Sequence, residues 1–418
     1  VYIDDAQGNG NKERTVYEGI AIGAPTGKTA AAKIVRSSEA KKPVHQPTAS
    51  ETAYANWEPY PVWEAPAVAN PGPKQDRPNI LWITCEDISP YLGCYGVEEA
   101  LTPNLDKLAE QGVRYTRAYA ATTVCAVARS SLLTGMLSPV IGTHGMRVRT
   151  SVPEVIEAYP AIFKEAGYYC TNNSKTDYNC NPYSGASQEI WDQCSRTAHW
   201  KNKAADQPFF AVFNYGATHE SHMRVLDKKI EKGELPAEPR IPLDEVKLPA
   251  YHPDLPEIRY DWARFHELIT LMDKAQGQLI QEVIDAGLWD DTIVLFYSDH
   301  GGVLSRSKRY IYNGGTQVPL IVRVPEKWQH LMQGKPGTAK DEFVQFVDLP
   351  KTMLDICGLR VPEVMQGRIF MGPNTEPAPD RMICYRDRQS DKFDCSRVIT
   401  DGEHYLIRNF YPHRPRGR

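Results

Sequence analysis

The amino-acid sequence predicts an α/β protein: a mainly parallel central sheet flanked by helices, a short antiparallel C-terminal subdomain and a small β-rich N-terminal extension. Two observations carry that reading. The continuous apolar runs "NILWITC", "PFFAVFNYG" and "TIVLFYS" have strand length and mark strands covered on both faces. Between them lie well-punctuated helical segments, and strands alternating with helices of this length make a parallel sheet.

Each element follows from local chemistry. Residues 1–40 include "RTVYEGIAIG", which alternates as a strand does. Residues 41–76 are proline-rich and read as a linker run extended over a surface, partly packed through its tryptophans and tyrosines. The α/β domain occupies residues 77–375. "TPNLDKLAEQG" is a helix with Thr102 as N-cap, Pro103 in the first turn and Gly112 at the end. Trp262, Phe265, Leu268, Leu271, Met272, Ala275, Leu279 and Val283 trace one face of a longer helix that stops at Gly287. From 376 to 418, "RMICYRD" and "SRVITDGEHYLIRN" begin the antiparallel subdomain.

Composition removes several function classes. A formal charge of -4 gives no electrostatic reason for a nucleic-acid partner, and no apolar run is long enough to cross a bilayer. The nine cysteines are scattered without metal-finger spacing, and their odd number leaves at least one unpaired. No signal peptide is visible.

Candidate site residues sit where such a sheet places ligands, outside the carboxyl ends of its strands. The first run ends in Glu86 and Asp87, and the strand after the second helix leads to Lys175 and Asp177. "PFFAVFNYGATHESH" ends in His219 and His222, "TIVLFYSDHGG" in Asp299 and His300, and Lys308 follows. Each alone has an ordinary explanation: a turn cap, a satisfied structural histidine, a solvated charge. Together, two carboxylates at one strand end and an Asp–His pair at another suit a divalent cation, which takes several oxygens and accepts an imidazole. Arg129, Lys175 and Lys308 call for an anionic group rich in oxygens. Cys125, four residues ahead of Arg129, is either a small core residue or a nucleophile precursor. Cation, positive charges and nucleophile together serve sulfuryl or phosphoryl transfer. His144, Arg147 and Arg149 in "GTHGMRVR" could reach substrate. Trp57, Trp63, Trp191 and Trp200 either pack or offer faces to a sugar.

Five ordered motifs carry a resemblance: "PNILWITCEDISPYLGCYG", "TPNLDKLAEQGVRYTRAY", "VCAVARSSLLTG", "FYSDHGG" and "YNGGTQVPLIVRVP". They resemble those of the type I, formylglycine-dependent sulfatases of the alkaline phosphatase superfamily. The resemblance implies that a maturation enzyme oxidises Cys125 to formylglycine, whose hydrate attacks sulfur. It implies one divalent cation, calcium above all, held by Glu86, Asp87, Asp299 and His300 with the modified Cys125. Arg129 would hold the hydrate and sulfate, Lys175 and Lys308 would grip the sulfate, and His219 would protonate the leaving oxygen. A sulfated carbohydrate substrate and a periplasmic or secreted location are also implied; Asp177, His144, Arg147 and His222 are candidate substrate contacts by their position alone. The chain departs from the family at three positions: Val127 replaces Pro or Ala, Glu86 replaces Asp, and Asp177 replaces a histidine. A phosphodiester or phosphonate monoester hydrolase of the same superfamily, or a silent binder of sulfated glycans, are the competing readings.

Overall fold

The structure, a computed structural model, describes residues 60–66, 77–184, 189–389 and 393–414. The expected β-rich extension at 1–40, most of the 41–76 linker and Trp57 lie outside the described residues. An eight-stranded sheet organises the rest, in the order β8-β2-β7-β6-β1-β5-β3-β4. Its strands are β1 (Asn79–Cys85), β2 (Val113–Tyr119), β3 (Tyr169–Asn173), β4 (Gln193–Cys194), β5 (Phe209–Tyr215), β6 (Thr292–Ser298), β7 (Gln317–Arg323) and β8 (Thr338–Gln345). All pairings are parallel except those of β7, which runs antiparallel to both β2 and β6.

β1 shows why an unbroken apolar run was needed. Every one of its residues is buried. Ile80 and Trp82 point into one core, while Leu81, Ile83 and Cys85 point into the other. Successive side chains leave opposite faces of a strand, so a sheet covered twice needs apolar residues at consecutive positions. Helix α1 (Pro103–Glu110) and the 30-residue α4 (Pro256–Asp285) cover the second face. The first face is covered by α2 (Cys125–Thr134), α3 (Tyr159–Glu165) and α5 (Asp348–Ile356).

Two local expectations change. Thr102 stands at the N-cap position of α1, but its side chain makes no capping bond; its hydroxyl accepts from Gly93 N instead. The cap comes from α4. Asp273 accepts from the backbone N–H groups of Asn104 and Leu105 at 3.1 and 2.8 Å, meeting the orphan donors of the first turn across the helix pair. The described tryptophans pack rather than stand open, although Trp191 also lines the pocket that holds Arg129 and Lys175. Trp63, Trp191 and Trp200 are buried, and Trp63 packs against Trp289 while its indole N–H donates to Asn104 O.

A second sheet of three antiparallel strands, β9 (Met382–Arg386), β10 (Ser396–Thr400) and β11 (Tyr405–Asn409), docks beside the start of α2. Tyr385 N donates to Ala121 O, and its phenol meets Ser131 and Ser138. Val127 packs against the same tyrosine. The turn after β6 leaves no room for side chains: a Cβ on Gly301 would fall 2.1 Å from Gly314 O, and one on Gly315 2.1 Å from Tyr310 O. Among the described residues no helix is long and apolar enough to cross a membrane.

Candidate active site

Strand register builds the site. Cys85 at the end of β1 lies opposite Tyr215 of β5 on one side and Ser298 of β6 on the other. The three strands therefore stop level, and the residues after them, Glu86–Asp87, Gly216–His219 and Asp299–His300, emerge at one edge. Asp87 turns sharply there, with φ at 57°, and its N–H donates to Asp299 Oδ1 at 3.2 Å. A non-glycine residue in that conformation is held by its surroundings, and such positions gather at functional sites.

Cys125 arrives from the opposite direction. β2 ends at Tyr119, the chain crosses five residues, and α2 starts at Cys125 with Val124 as an N-cap that offers no side-chain bond. All ten residues of α2 are buried, and the Cys125 side chain faces the strand ends. Its Sγ lies 3.2 Å from His300 Nε2 and 3.8 Å from Lys308 Nζ. Burial and the Asp299 charge push the thiol up, but His300 beside it and hydrogen bonds from His219 and His300 leave it below the ordinary cysteine value. The free N–H groups at the start of α2 favour negative charge at the same place.

Carboxylates and cations are matched around it. Lys308 Nζ donates to Asp87 Oδ2 at 2.7 Å, Arg129 Nε to Asp299 Oδ2 at 3.1 Å, and Lys175 Nζ to Glu86. Arg129 also donates from Nη1 to Asn214 Oδ1 at 2.7 Å, which leaves Nη2 buried without a partner. Burial opposes the charge of Asp299, yet His300, Arg129, Lys175 and Lys308 hold it well below the usual carboxylate range. Burial likewise opposes the charge of His300, but Asp299, Asp87 and Cys125 raise it to about 9.

His219 stands beside this cluster, its Nε2 3.9 Å from Glu86 Oε2. Its Nδ1 accepts from Ser221 N at 3.2 Å and contacts Ser221 Oγ at 2.8 Å, capping the short helical turn Glu220–Met223. That bond assigns the neutral ring's proton to Nε2, the nitrogen facing the cluster. Other sequence candidates sit farther out. Arg147 is mostly exposed and pairs with Asp177 at 3.6 Å, both residues having positive φ. His144 and His222 each keep a buried Nδ1 without a hydrogen-bond partner. Sequence reading does not single out Asn214, Glu220 or Arg309. Asn214 lies at the carboxyl end of β5, where strand-end logic reaches it; Glu220 and Arg309 are next to His219 and Lys308 and differ from solvated charges only through their contacts.

The donors fit a divalent cation. Asp87, Cys125, Asp299 and His300 each present one ligand atom within 4.8 Å of the others, all buried. Asp87 Oδ1 is buried and accepts no aligned hydrogen bond, although His300 Nε2 is 3.1 Å away. Unanswered carboxylate oxygen at such depth is costly, and a hard cation answers it. Glu86 falls in an overlapping group with Asp87, Cys125 and His219, where it meets Lys175.

A family model described as Sulfatase matches residues 78–171 and 169–359. The chain belongs to the sulfatase family. An ulvan-active sulfatase of Formosa agariphila is 34% identical to it over 376 residues, 81% of this chain and 61% of that protein. Human N-sulphoglucosamine sulphohydrolase is 26% identical over 313 residues, 66% of this chain and 60% of that protein. This sulfatase-family chain thus spans about three fifths of the length of both relatives. Two solved structures share its fold. One, a complex with its substrate D-glucosamine-2-N,6-O-disulfate, has a TM-score of 0.62 at 18% identity, covering 81% of this chain and 89% of that one. The other, a phosphonate monoester hydrolase from Silicibacter pomeroyi, has a TM-score of 0.59 at 16% identity, covering 80% and 87%.

In this sulfatase-family site Arg129 works as a fork, spanning Asp299 and Asn214 from one rigid plane. An ammonium on a lysine stem cannot reproduce that geometry. Arg129→Lys is therefore expected to lower unfolding free energy by about 1–3 kcal/mol, measured by urea denaturation. Stability equal to wild type would show that charge alone suffices.

Proposed function

We propose that this chain hydrolyses sulfate esters of a sulfated carbohydrate, using an oxidised Cys125 as nucleophile. The observation that carries the reading is the setting of Cys125: first residue of a buried helix, its side chain held between His300 and Lys308 above Asp87 and Asp299, with Arg129 one turn on. The ulvan-active relative and the disulfated glucosamine named as substrate for a shared fold support a sulfated glycan. Asp87, Asp299 and His300, with the residue 125 side chain, would hold the cation, for which oxygen-rich donors favour calcium. Formylglycine and the cation together supply what the chain lacks, a strong oxygen nucleophile at neutral pH.

The chain's own residues do the rest. Lys308, Lys175 and Arg129 offer preorganised positive charge to the sulfuryl oxygens as the ester bond breaks. Arg129 and Lys175 line the same pocket, together with Asn172, Tyr178 and Asn214. His219 delivers a proton from Nε2 to the departing sugar oxygen. An alkoxide is a poor leaving group and needs that proton; an activated phenolate does not.

The test is sulfate release from a sulfated polysaccharide and from an aryl sulfate, against cleavage of an aryl phosphodiester. Sulfate release is expected to dominate, and His219→Ala to slow the polysaccharide reaction by about 100-fold or more while sparing the aryl sulfate. Faster phosphodiester cleavage would assign the site to phosphoryl transfer, and binding without turnover would make the protein a glycan binder. The cation has its own readout. Calcium at a hundredfold excess over its dissociation constant should stabilise the fold by about 2.7 kcal/mol, seen as a higher thermal midpoint, and Asp299→Ala should abolish the rise. No shift in the wild-type protein with calcium, magnesium or manganese would contradict the assigned ligands.

A further inference from the structure

Two groups in this site have no assigned part, and they face one another. Glu220 follows His219 on the turn after β5, and Arg309 follows Lys308 on the loop between β6 and β7. Arg309 Nη1 and Nη2 donate to Glu220 Oε2 and Oε1 at 2.7 and 2.5 Å, a bidentate fork on a carboxylate. The Glu220 side chain is 18% exposed and that of Arg309 41%, so the pair is neither loose on the surface nor sunk in the core.

Its connections run to Asp87, to Lys308 and to the segment before Cys125. Glu220 N donates to Asp87 Oδ2 at 2.8 Å, the same oxygen that Lys308 holds at 2.7 Å. Lys308 Nζ also stands 3.8 Å from Glu220 Oε1. Arg309 N donates to Thr123 O at 3.1 Å, two residues before Cys125. Arg309 has φ at 71° and Arg306 at 68°, so the loop bearing Lys308 is bent through conformations that side-chain-bearing residues avoid. Contacts outside the backbone must hold it there, and the fork to Glu220 is the strongest that Arg309 makes.

We propose that Glu220 and Arg309 are positioning residues: their ion pair clamps the turn carrying His219 to the loop carrying Lys308, fixing the proton donor relative to the charge that grips the sulfuryl group. The proposal rests on the sulfatase reading only for the roles of His219 and Lys308; the clamp itself is a matter of geometry. An error of about 1 Å between reacting groups can cost about a hundredfold in rate, so a device setting that distance has a kinetic purpose beyond stability.

The experiment has two arms on the full chain. In hydrogen–deuterium exchange, Arg309→Ala is expected to speed exchange in residues 216–225, on the far side of the clamp, and Glu220→Ala in residues 303–312. Exchange confined to the loop that carries the substitution would overturn the proposal. In the kinetic arm, each single variant should lower kcat on a sulfated oligosaccharide by about 10- to 100-fold with KM within about twofold, and lower aryl sulfate turnover less. The double variant should be no slower than the slower single one, because the second change removes nothing further. Arg309→Lys should recover part of the loss. Multiplicative losses, or a raised KM with unchanged kcat, would mean that the two residues act separately or contact substrate. Failure of the wild-type protein to release sulfate from any ester would count against the sulfatase reading, and the exchange arm would still decide the clamp.

Discussion

Two buried carboxylates, Asp87 and Asp299, set the terms for everything around them. The level ends of β1 and β6 bring them together, and Asp87 N–H donates directly to Asp299. Neither can sit unanswered at such depth, where a lone charge costs many kcal/mol. The chain therefore surrounds them with nitrogen groups, each from a different segment: the Arg129 guanidinium from α2, the His300 ring from the end of β6, and the Lys308 ammonium from the following loop. Lys175 meets Glu86 and Arg309 meets Glu220 in the next ring outward. The result is a cluster of interleaved charges with a cysteine at its centre and one Asp87 oxygen still unpartnered.

The fold serves this cluster by fixing approach directions. Parallel pairing sends the carboxyl ends of β1, β3, β5 and β6 to one edge, while α2 brings its positive N-terminus to the same place. The C-terminal sheet braces that helix, since Tyr385 bonds the chain before it through N–H and the helix itself through its hydroxyl. Glycines at 301 and 315 let the loop bearing Lys308 lie against the turn bearing His300. Rigid strands and a buried helix thus hold the reacting positions, and loops supply the remaining charges, an arrangement suited to preorganised electrostatics.

Much of this was legible in the sequence because the signals are physical. Apolar runs without alternation reported a doubly covered sheet, and acidic, imidazole and lysine residues just past those runs reported the ligand edge. Features that depend on distant partners were not legible. Thr102 fits the N-cap pattern, yet Asp273, 169 residues from Asn104, takes the role. Trp200 offers a sugar-stacking face by type, but burial in the second core removes it, while Trp191, buried in the first, still borders the pocket of Arg129 and Lys175. Glu220 and Arg309 look like ordinary surface charges until folding places one opposite the other. Local pattern reveals which face an element buries; it does not reveal which charge waits across a loop.

The central claim is that turnover depends on oxidation of Cys125. The direct measurement is the mass of peptide 118–129, released by cleavage after Arg117 and Arg129, in preparations of differing specific activity. The account predicts that the active fraction carries an aldehyde or its hydrate at position 125, sulfur lost and oxygen gained, and that sulfate release scales with that fraction. Full activity in a preparation whose peptide retains the thiol throughout would contradict it.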